Sequence, residues 1–501
     1  MFNLNISAMK KLNFILIFLA VLAFSCSKDG MLNTDPLADQ FTGNTALLKC
    51  GNVVKVYPGS NDTKALTDAF AQAQACGKNA VVKLMPGTFS IGMIEVREFN
   101  GTICGSGMGK TIITNLPGLT PESNTLQNKL PALITFIGGN VTVSDLSVTQ
   151  TETLSLLGNV EMNLLLFSDY SADYVPDRQH IVVSLNNIEV TGLLEKDVTM
   201  WDGTVVDYYP YYNYNGVKMA PDVSEPVGNK LITRGNIDAN VSNSRFNNFW
   251  RGLYVFGCKS GNLSFGMEGS NVFSGNYQGL LVNQNIGVQV KMMHNVFNVT
   301  AYNYDGIDIN CSEEHSGFEY VREEAGNYEI NYNVFNIHYA NAGIGMWDGW
   351  RYAHPDNPVW IHMLCDHNTF NDMEDGAWPV ETYAMKNGVF TNNTITGDAA
   401  SPDCYWYIGG DEWYVTADDP NYLLSINENC KFVNNNFQQK NFNVFLDWDT
   451  QNNLIVGDIS NVTVTDLGVN NKVIGLKNPG HGLSKEFVDR IGRIHDRYYR
   501  H

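Results

Sequence analysis

Positive charge is scarce in this chain. Its 501 residues hold 32 lysines and arginines against 52 aspartates and glutamates, which gives a formal net charge of −20. A surface this acidic repels phosphate backbones and anionic lipid headgroups. The composition therefore predicts no nucleic-acid partner, and it disfavours a polyanionic substrate unless a cation mediates the contact.

Long apolar runs are scarce too. The one at residues 12–24 follows Lys10 and Lys11 and precedes Ser25 and Cys26. It is too short for a comfortable bilayer span, and its order of basic, apolar and small residues is that of an export signal. We predict a signal peptide at residues 1–25 and an exported chain. Because ATP is not supplied outside the cell, no nucleotide partner is expected.

The residues at the predicted cleavage site, LAFSC, resemble the lipobox of Gram-negative envelope lipoproteins. The resemblance implies that Cys26 carries a lipid that anchors the chain to the outer membrane. The charged SKDG segment that includes residue 29 resembles tags that send some lipoproteins to the cell surface. Residues 26–50 would then be a lipidated tail. Plain secretion with an unmodified Cys26 is the alternative.

Cysteine motifs are also lacking. Eight cysteines follow Cys26, at positions 50, 76, 104, 258, 311, 365, 404 and 430, with no CxxC pair and no cluster with histidine. Zinc sites need such spacing, so no metal site is predicted. Buried thiols are the simplest interpretation, although exported proteins can form disulfides and Cys50 with Cys76 is a candidate pair.

The segment GTICGSGMGKTIITN, residues 101–115, ends in Gly-Lys-Thr like a nucleotide-binding loop. A P-loop needs a glycine five residues before that glycine and a helix after it. Here the first position is Cys104, and the residues after Thr111 have strand and turn character. The segment is therefore predicted to be a turn between two strands.

One amphipathic helix is predicted near the start. Asn61 can cap it, and apolar residues recur at helical spacing from Leu66 to Ala73. AVVKLMPGTFSI follows with the pattern of strand, Pro-Gly turn and strand.

Short strand patterns then recur along the chain. HNVFNVT, YNVFNIH and HNTFNDM, at 294–300, 332–338 and 367–373, share Asn-x-Phe-Asn. Gly-starting elements alternate with such motifs, namely RGLYVF, QGLLVN, DGIDIN, AGIGMW and DGAWPV, which begin at residues 251, 278, 305, 342 and 375. Because the apolar spacing is two, these repeats predict a β-solenoid and exclude a helical one.

With these motifs the chain resembles the pectin-lyase-like superfamily of right-handed parallel β-helices, over about residues 50–476. The resemblance implies an all-β fold with one solenoid domain at 51–476, an N-terminal capping helix and insertions at about 195–235 and 401–425. The first insertion includes the tyrosine-rich run MWDGTVVDYYPYYNYNG at 200–216. Residues 477–501 are predicted to form a C-terminal capping helix.

Equivalent positions of successive coils stack about 4.8 Å apart in such a solenoid. Aligning the Gly-starting elements predicts two columns, Arg251, Gln278, Asp305, Ala342, Asp375 and Tyr254, Leu281, Asp308, Gly345, Trp378. If Ile307 and Ile309 point inward, Asp308 points outward.

Carboxylates beside tryptophans are typical of sugar sites, because aromatic faces stack on sugar rings and two carboxyls can share acid and base work. The predicted catalytic residues are Asp305, Asp308, Asp348 and Asp375. The predicted substrate-binding residues are Trp347, Trp350, Arg351, Trp378, Glu381, Trp413 and His315. The bland interpretation is that such aspartates cap backbone N–H groups or face water.

These residues favour a monomeric, cell-envelope glycoside hydrolase that acts on a polysaccharide or oligosaccharide and requires no cofactor. Two alternatives stay open, a polysaccharide lyase that holds Ca²⁺ on the carboxylates and a non-catalytic surface lipoprotein that binds glycan. The polygalacturonase pattern within the superfamily is disfavoured, because no adjacent Asp-Asp follows in a matching coil and no Arg-Ile-Lys is present.

Overall fold

The computed structural model describes residues 53–475, apart from 78, 120–130, 153–160, 169–179, 201–202, 213, 221–234, 284–286, 301–304, 311–325, 339–341, 348–360, 373–376, 398–404, 411–425 and 440–441. The predicted signal peptide, the tail with Cys26 and the predicted C-terminal helix lie outside the described residues.

The helix Asp62–Ala75 covers the first coil. Asn61 caps it, since the side-chain oxygen accepts a backbone N–H of the first turn at 3.1 Å. On its buried face, the ring of Phe70 packs edge-on against Phe99 and Phe136, with centroid distances of 5.3 and 5.8 Å. The predicted helix is confirmed. Within the described part of the chain, no helix has the length and apolarity that crossing a membrane requires.

In the part of the chain that the structure describes, parallel pairing between successive coils links 33 strands into one sheet, which confirms the predicted parallel β-helix. The sheet wraps around three faces of the solenoid. The front face contains Met162–Ser168, Tyr214–Ala220, Arg251–Phe256, Gln278–Asn283, Ile307–Asn310, Ala342–Trp347, Trp378–Tyr383, Tyr405–Gly409, Phe442–Leu446 and Val462–Asp466.

The other two faces complete each coil. The back face contains Val53–Val56, Ala80–Leu84, Gly235–Ser242, Cys258–Phe265, Gly287–Met293, Asn327–Asn331, His362–Asp366, Val389–Thr391, Lys431–Val433, Leu454–Gly457 and Lys472–Gly475. The third face contains Gly87–Ile91, Thr111–Asn115, Arg245–Asn247, Val272–Ser274, Val296–Val299, Val334–Ile337, Thr369–Asp372, Thr394–Gly397 and Asn436–Phe437. Among the described strands, Ile94–Cys104 and His180–Thr191 each run over two faces, and Ala132–Thr149 runs over all three.

Among the described residues, four strands lie outside this sheet. Leu194–Thr199 and Val205–Pro210 pair antiparallel as a hairpin within the first predicted insertion. Asn427–Glu428 and Thr450–Gln451 form a short parallel pair. The second predicted insertion, at about 401–425, includes the front-face strand Tyr405–Gly409. This strand belongs to the solenoid, since its alternate residues point inward and Trp406 is buried in the core.

A column of buried asparagines joins the turns between the back and third faces. The side-chain amide of Asn333 donates to Asn368 Oδ1 at 3.0 Å and to the Met292 carbonyl at 2.8 Å. Its own oxygen accepts the backbone N–H of Asn295 at 2.9 Å. The asparagine ladder consists of Asn271, Asn295, Asn333, Asn368, Asn393 and Asn435. Each rung thereby satisfies the buried polar atoms of its neighbours.

The phenylalanines of the repeated motif stack inside the solenoid. Neighbouring rings lie 4.7 to 5.0 Å apart between centroids and are tilted by 6 to 15° along the series Phe246, Phe273, Phe297, Phe335 and Phe370. The Asn-x-Phe-Asn repeat therefore supplies one ladder residue and one core residue to each coil.

The segment 101–115 contains a turn between two strands, as predicted, at residues 105–110. The strand Ile94–Cys104 ends there and Thr111–Asn115 begins on the next face. Gly107 and Gly109 have φ angles of 126° and 70°, a region that favours glycine. The glycines thus serve the turn of a coil.

Candidate functional site

The register of the front-face strands agrees with the predicted columns except at their last position. One column runs as predicted through Tyr254, Leu281, Asp308 and Gly345. Beside Gly345, however, lies Glu381 and not Trp378. The alignment of residues 375–380 is therefore wrong by three residues. The reason is that Val380, not Ala377, pairs with Ile344 at the inward position.

Three carboxyl groups meet on this face. Asp308 and Glu381 occupy one column, on either side of Gly345. Gly345 has no side chain, and the carboxyl of Asp305 occupies that space, since a Cβ on Gly345 would collide with Asp305 Oδ2. Adjacent rungs are about 4.8 Å apart, so the Cα atoms of Asp308 and Glu381 are ~9.6 Å apart. Asp305 and Asp308 are half-buried, and Glu381 is 8% exposed.

Asp308 is held by a relay of polar side chains. Gln278 Nε2 donates to Asp308 Oδ2 at 2.5 Å, and Arg251 Nε donates to Gln278 Oε1 at 3.1 Å. Burial raises the pKa of Asp308 to about 6, against the Gln278 hydrogen bond and the Arg251 charge, which both lower it. Asp308 is therefore mostly ionised at neutral pH.

Glu381 keeps its proton in the same conditions. Burial raises its pKa to about 8, and the charge of Asp308 adds to the rise, although the hydroxyl of Tyr383 lies 3.2 Å from Glu381 Oε2 and opposes it. Burial also raises the pKa of Asp305 well above its ordinary value, helped by the charges of Asp308 and Glu381. The site therefore holds ionised and protonated carboxyls side by side near pH 7.

A buried ion cluster lies next to this group. Glu161 contacts Lys218 Nζ at 2.5 Å and Arg251 Nη1 at 2.8 Å. Burial raises the pKa of Glu161, but the two cations outweigh it and hold the pKa at about 2. Burial lowers the pKa of Lys218, Glu161 only partly offsets this, and the charge of Arg251 adds to the lowering. One positive charge is left over, and Asp308 balances it.

The aromatic ring of Tyr254 lies against both cations. Lys218 Nζ is 4.4 Å and the Arg251 guanidinium carbon 4.7 Å from the ring centroid. The ring replaces water around the two cations with a cation–π contact. Lys218 and Arg251 are therefore fixed parts of the face.

The structure brings together only some of the predicted site residues. Asp305 and Asp308, two predicted catalytic residues, lie with Glu381, a predicted substrate-binding residue. Trp347 and Trp378 are buried, and the ring of Trp347 lies 6.1 Å from that of Tyr383. The other predicted residues fall outside the described part of the chain: Asp348, Trp350, Arg351, Asp375, Trp413 and His315.

Sequence reasoning missed Glu161 and Lys218. For Lys218 a signal was available, because NGVKMA at 215–220 has the same Gly-starting pattern as RGLYVF. Lys218 indeed lies beside Tyr254 in the column of Asp308. Glu161 immediately precedes its strand and carries no such pattern.

The cluster of Asp305, Asp308 and Glu381 does not suit a metal ion. Within the described residues, no three or more His, Cys, Asp or Glu side chains are arranged to hold one. Ca²⁺ prefers ionised carboxylates, whereas burial raises the pKa values of Asp305 and Glu381 and so works against their ionised forms. No step is therefore assigned to Ca²⁺.

No protein-family model matches the chain, and no curated protein matches it in sequence. Among solved structures, it is similar to the catalytic unit of a thermostable GH87 α-1,3-glucanase from Streptomyces thermodiastaticus, at 12% identity, 88% of this chain, 73% of that chain and a TM-score of 0.44. It is also similar to the A-module of the Azotobacter vinelandii mannuronan C-5 epimerase AlgE4, at 12% identity, 85% of this chain, 96% of that chain and 0.41. A third is PfbA, a surface adhesin of Streptococcus pneumoniae, at 10% identity, 83% of this chain, 88% of that chain and 0.37. Likenesses this distant carry no argument about activity.

Proposed function

We propose that the chain hydrolyses glycosidic bonds in a polysaccharide or oligosaccharide, with Asp308 and Glu381 as the base and the acid. The observation that carries this proposal is a pair of carboxyls in one column, with Asp308 hydrogen-bonded to Gln278 and Glu381 to Tyr383. Burial raises the pKa of Asp308 to about 6 and that of Glu381 to about 8, which suits a base and an acid. Inverting hydrolases need carboxyls roughly 6.5–9.5 Å apart, which leaves room for a water molecule. Two rungs separate the Cα atoms of Asp308 and Glu381 by ~9.6 Å, and side chains that lean towards each other bring the carboxyls within that range.

In the proposed reaction, Glu381 donates its proton to the glycosidic oxygen as the bond to the anomeric carbon breaks. Asp308 takes a proton from the water that attacks the opposite face of that carbon. The cycle leaves Glu381 ionised and Asp308 protonated, and exchange with solvent restores both. Asp305, between them, hydrogen-bonds a substrate hydroxyl.

The test of this proposal is product analysis. A chain beginning at Asp29 is incubated with neutral and acidic polysaccharides, with and without Ca²⁺, and products are read by mass spectrometry. Saturated oligosaccharides should form, and Asp308→Asn and Glu381→Gln should slow their release by ~10²–10⁴-fold. Glu329→Gln is the matched control, because that carboxyl is exposed beside Lys291.

Other outcomes replace the proposal. Unsaturated products that require Ca²⁺ would establish the lyase. Binding without any product, unchanged in Asp308→Asn, would establish the glycan-binding protein.

We further propose that the chain is exported and anchored to the outer membrane by a lipid on Cys26, as LAFSC suggests. In a Gram-negative host, labelled palmitate should be incorporated into the chain and should be lost in Cys26→Ser. Equal labelling of both chains would contradict the anchor.

A further inference from the structure

Four aromatic side chains form a cluster where two front-face strands begin, and they have no part in the proposed hydrolysis. Trp250 and Tyr277 immediately precede Arg251 and Gln278 on successive rungs. Their rings stack, with centroids 3.7 Å apart and planes 13° apart. The stack is therefore built into the front-face side of the solenoid, next to the relay that holds Asp308.

The hairpin completes this cluster. Tyr209, at its second strand, meets Trp250 and Tyr277 edge-on, at centroid distances of 6.2 and 5.9 Å. Tyr212 follows the hairpin and meets Trp250 edge-on at 4.6 Å. We call these four residues the aromatic shelf: Tyr209, Tyr212, Trp250 and Tyr277. The tyrosine-rich run at 200–216 thus has a defined place beside the site.

Solvent reaches the shelf. Tyr212 is 63% exposed, and Tyr209, Trp250 and Tyr277 all keep part of their surface accessible. A cluster that merely anchored the hairpin would not need its outermost ring in solvent. An exposed aromatic surface next to a polar site is what a sugar ring requires, because its C–H faces stack on aromatic faces.

The shelf also has the right position. Tyr277 belongs to the rung next to Asp305 and Asp308, and Trp250 to the rung beyond it. These steps are ~4.8 and ~9.6 Å along the solenoid axis. A glycan that places one bond at the carboxyls therefore lays its neighbouring sugar units along the shelf.

Charge decides the class of glycan. Arg251, which directly follows Trp250, shares Glu161 with Lys218, and Asp308 balances the remaining positive charge through the Gln278 relay. No net positive charge is left for a uronate among these four groups, and the chain as a whole carries −20. We propose that the aromatic shelf is a binding subsite for uncharged sugar units of the glycan. The proposal rests on the proposed function only for the place of the cleaved bond.

Binding in a silenced protein tests the subsite apart from catalysis. Glu381→Gln serves as the background, and the probes are cellohexaose, laminarihexaose, maltohexaose and hexagalacturonate, measured by titration calorimetry. At least one neutral hexasaccharide should bind more tightly than hexagalacturonate. Adding Tyr212→Ala should weaken its binding by ~3–10-fold, as expected for one aromatic contact. Trp250→Ala should weaken it at least as much.

Two variants separate the ring from the fold. Tyr212→Phe keeps the ring and should keep the affinity, whereas Tyr57→Ala removes an exposed tyrosine elsewhere and should change nothing. The subsite is overturned if Tyr212→Ala and Trp250→Ala both bind like the background, or if no neutral probe binds. If hexagalacturonate binds more tightly than every neutral hexasaccharide, the assignment of the shelf to uncharged sugar units is overturned. If Tyr212→Ala and Trp250→Ala lose binding but the chain with native Glu381 forms no product, the subsite stands and the proposed hydrolase activity is refuted.

Discussion

At the scale of single residues, Gly345 determines whether the three carboxyls can meet. Its missing side chain leaves the space that Asp305 occupies between Asp308 and Glu381. Any larger residue would fill this space with its own side chain and displace the carboxyl of Asp305. A position without a side chain is here as much a part of the site as the acids.

Gly345→Ala should therefore leave the fold intact and lower the rate of glycan hydrolysis by ~10²-fold, because a displacement of about 1 Å is enough for such a loss. Product release and circular dichroism measure the two effects. Gly59→Ala is the control, since its Cβ would meet nothing closer than Asp62 Oδ1 at 4.0 Å. Unchanged activity in Gly345→Ala would mean that Asp305 is dispensable.

Glu381 should make stability depend on pH. Its pKa rises from 4.5 unfolded to about 8 folded, so the folded state binds this proton more tightly. The resulting stabilisation is complete below pH 4.5 and is lost as pH rises towards 8, at up to ~1.4 kcal/mol per pH unit. Urea unfolding from pH 5 to 8.5 should show this decline, and Glu381→Gln should make it shallower, because the raised pKa values of Asp305 and Asp308 keep part of the slope. Parallel profiles for both proteins would refute the assignment.

Glu161 should behave in the opposite way. Its pKa falls from 4.5 to about 2 on folding, so its stabilisation is present above pH 4.5 and is lost as pH falls towards 2. Glu161→Gln leaves two buried cations without their carboxylate and should cost ~3–5 kcal/mol in the free energy of unfolding. Asp68→Asn breaks the exposed pair with Lys64 and should cost under ~1 kcal/mol. Similar costs for both would contradict the buried cluster.

The residue scale also shows what sequence alone could and could not predict about the site. Asp308 was predictable because Ile307 and Ile309 alternate with it. Glu161 and Arg251 lie 90 residues apart, and only the register of intervening coils brings them together. The role of Glu381 depended on an alignment that failed by three residues, because short apolar segments fit more than one register.

At the scale of elements, the asparagine ladder determines how firmly one coil holds the next. Its hydrogen bonds run from turn to turn and serve buried backbone groups that water cannot reach. A second ladder of amides, which includes Asn298 and Asn336, runs along the outer surface of the third face. Because its members are half-buried, water can replace the bonds of that ladder.

Asn333→Ala should therefore cost about 3 kcal/mol in the free energy of unfolding, since it leaves the Met292 carbonyl and the Asn295 N–H buried without partners. Asn336→Ala should cost under about 1 kcal/mol. Urea unfolding of both variants gives the comparison. Equal costs would show that burial of the ladder does not matter.

At the scale of the whole molecule, the fold was more predictable than the site. Each coil repeats the same few cues, so errors in single elements do not change the architecture. The helix was predictable because its cap and its apolar face are local in sequence. The coil lengths varied too much for every rung to be aligned, as the strand Tyr405–Gly409 in a predicted insertion shows.

The regular stacking of rungs also makes the front face a ruler. Along the solenoid axis, the Cα atoms at equivalent positions are separated by whole steps of ~4.8 Å. The strands that carry the shelf and the carboxyls therefore follow the same spacing. Sugar units have a repeat length of their own, set by their linkage. A glycan whose repeat is commensurate with the rungs can contact several steps at once, whereas any other must tilt across the face or lose contact after one unit. The backbone spacing would therefore select linkage geometry before any single side chain does.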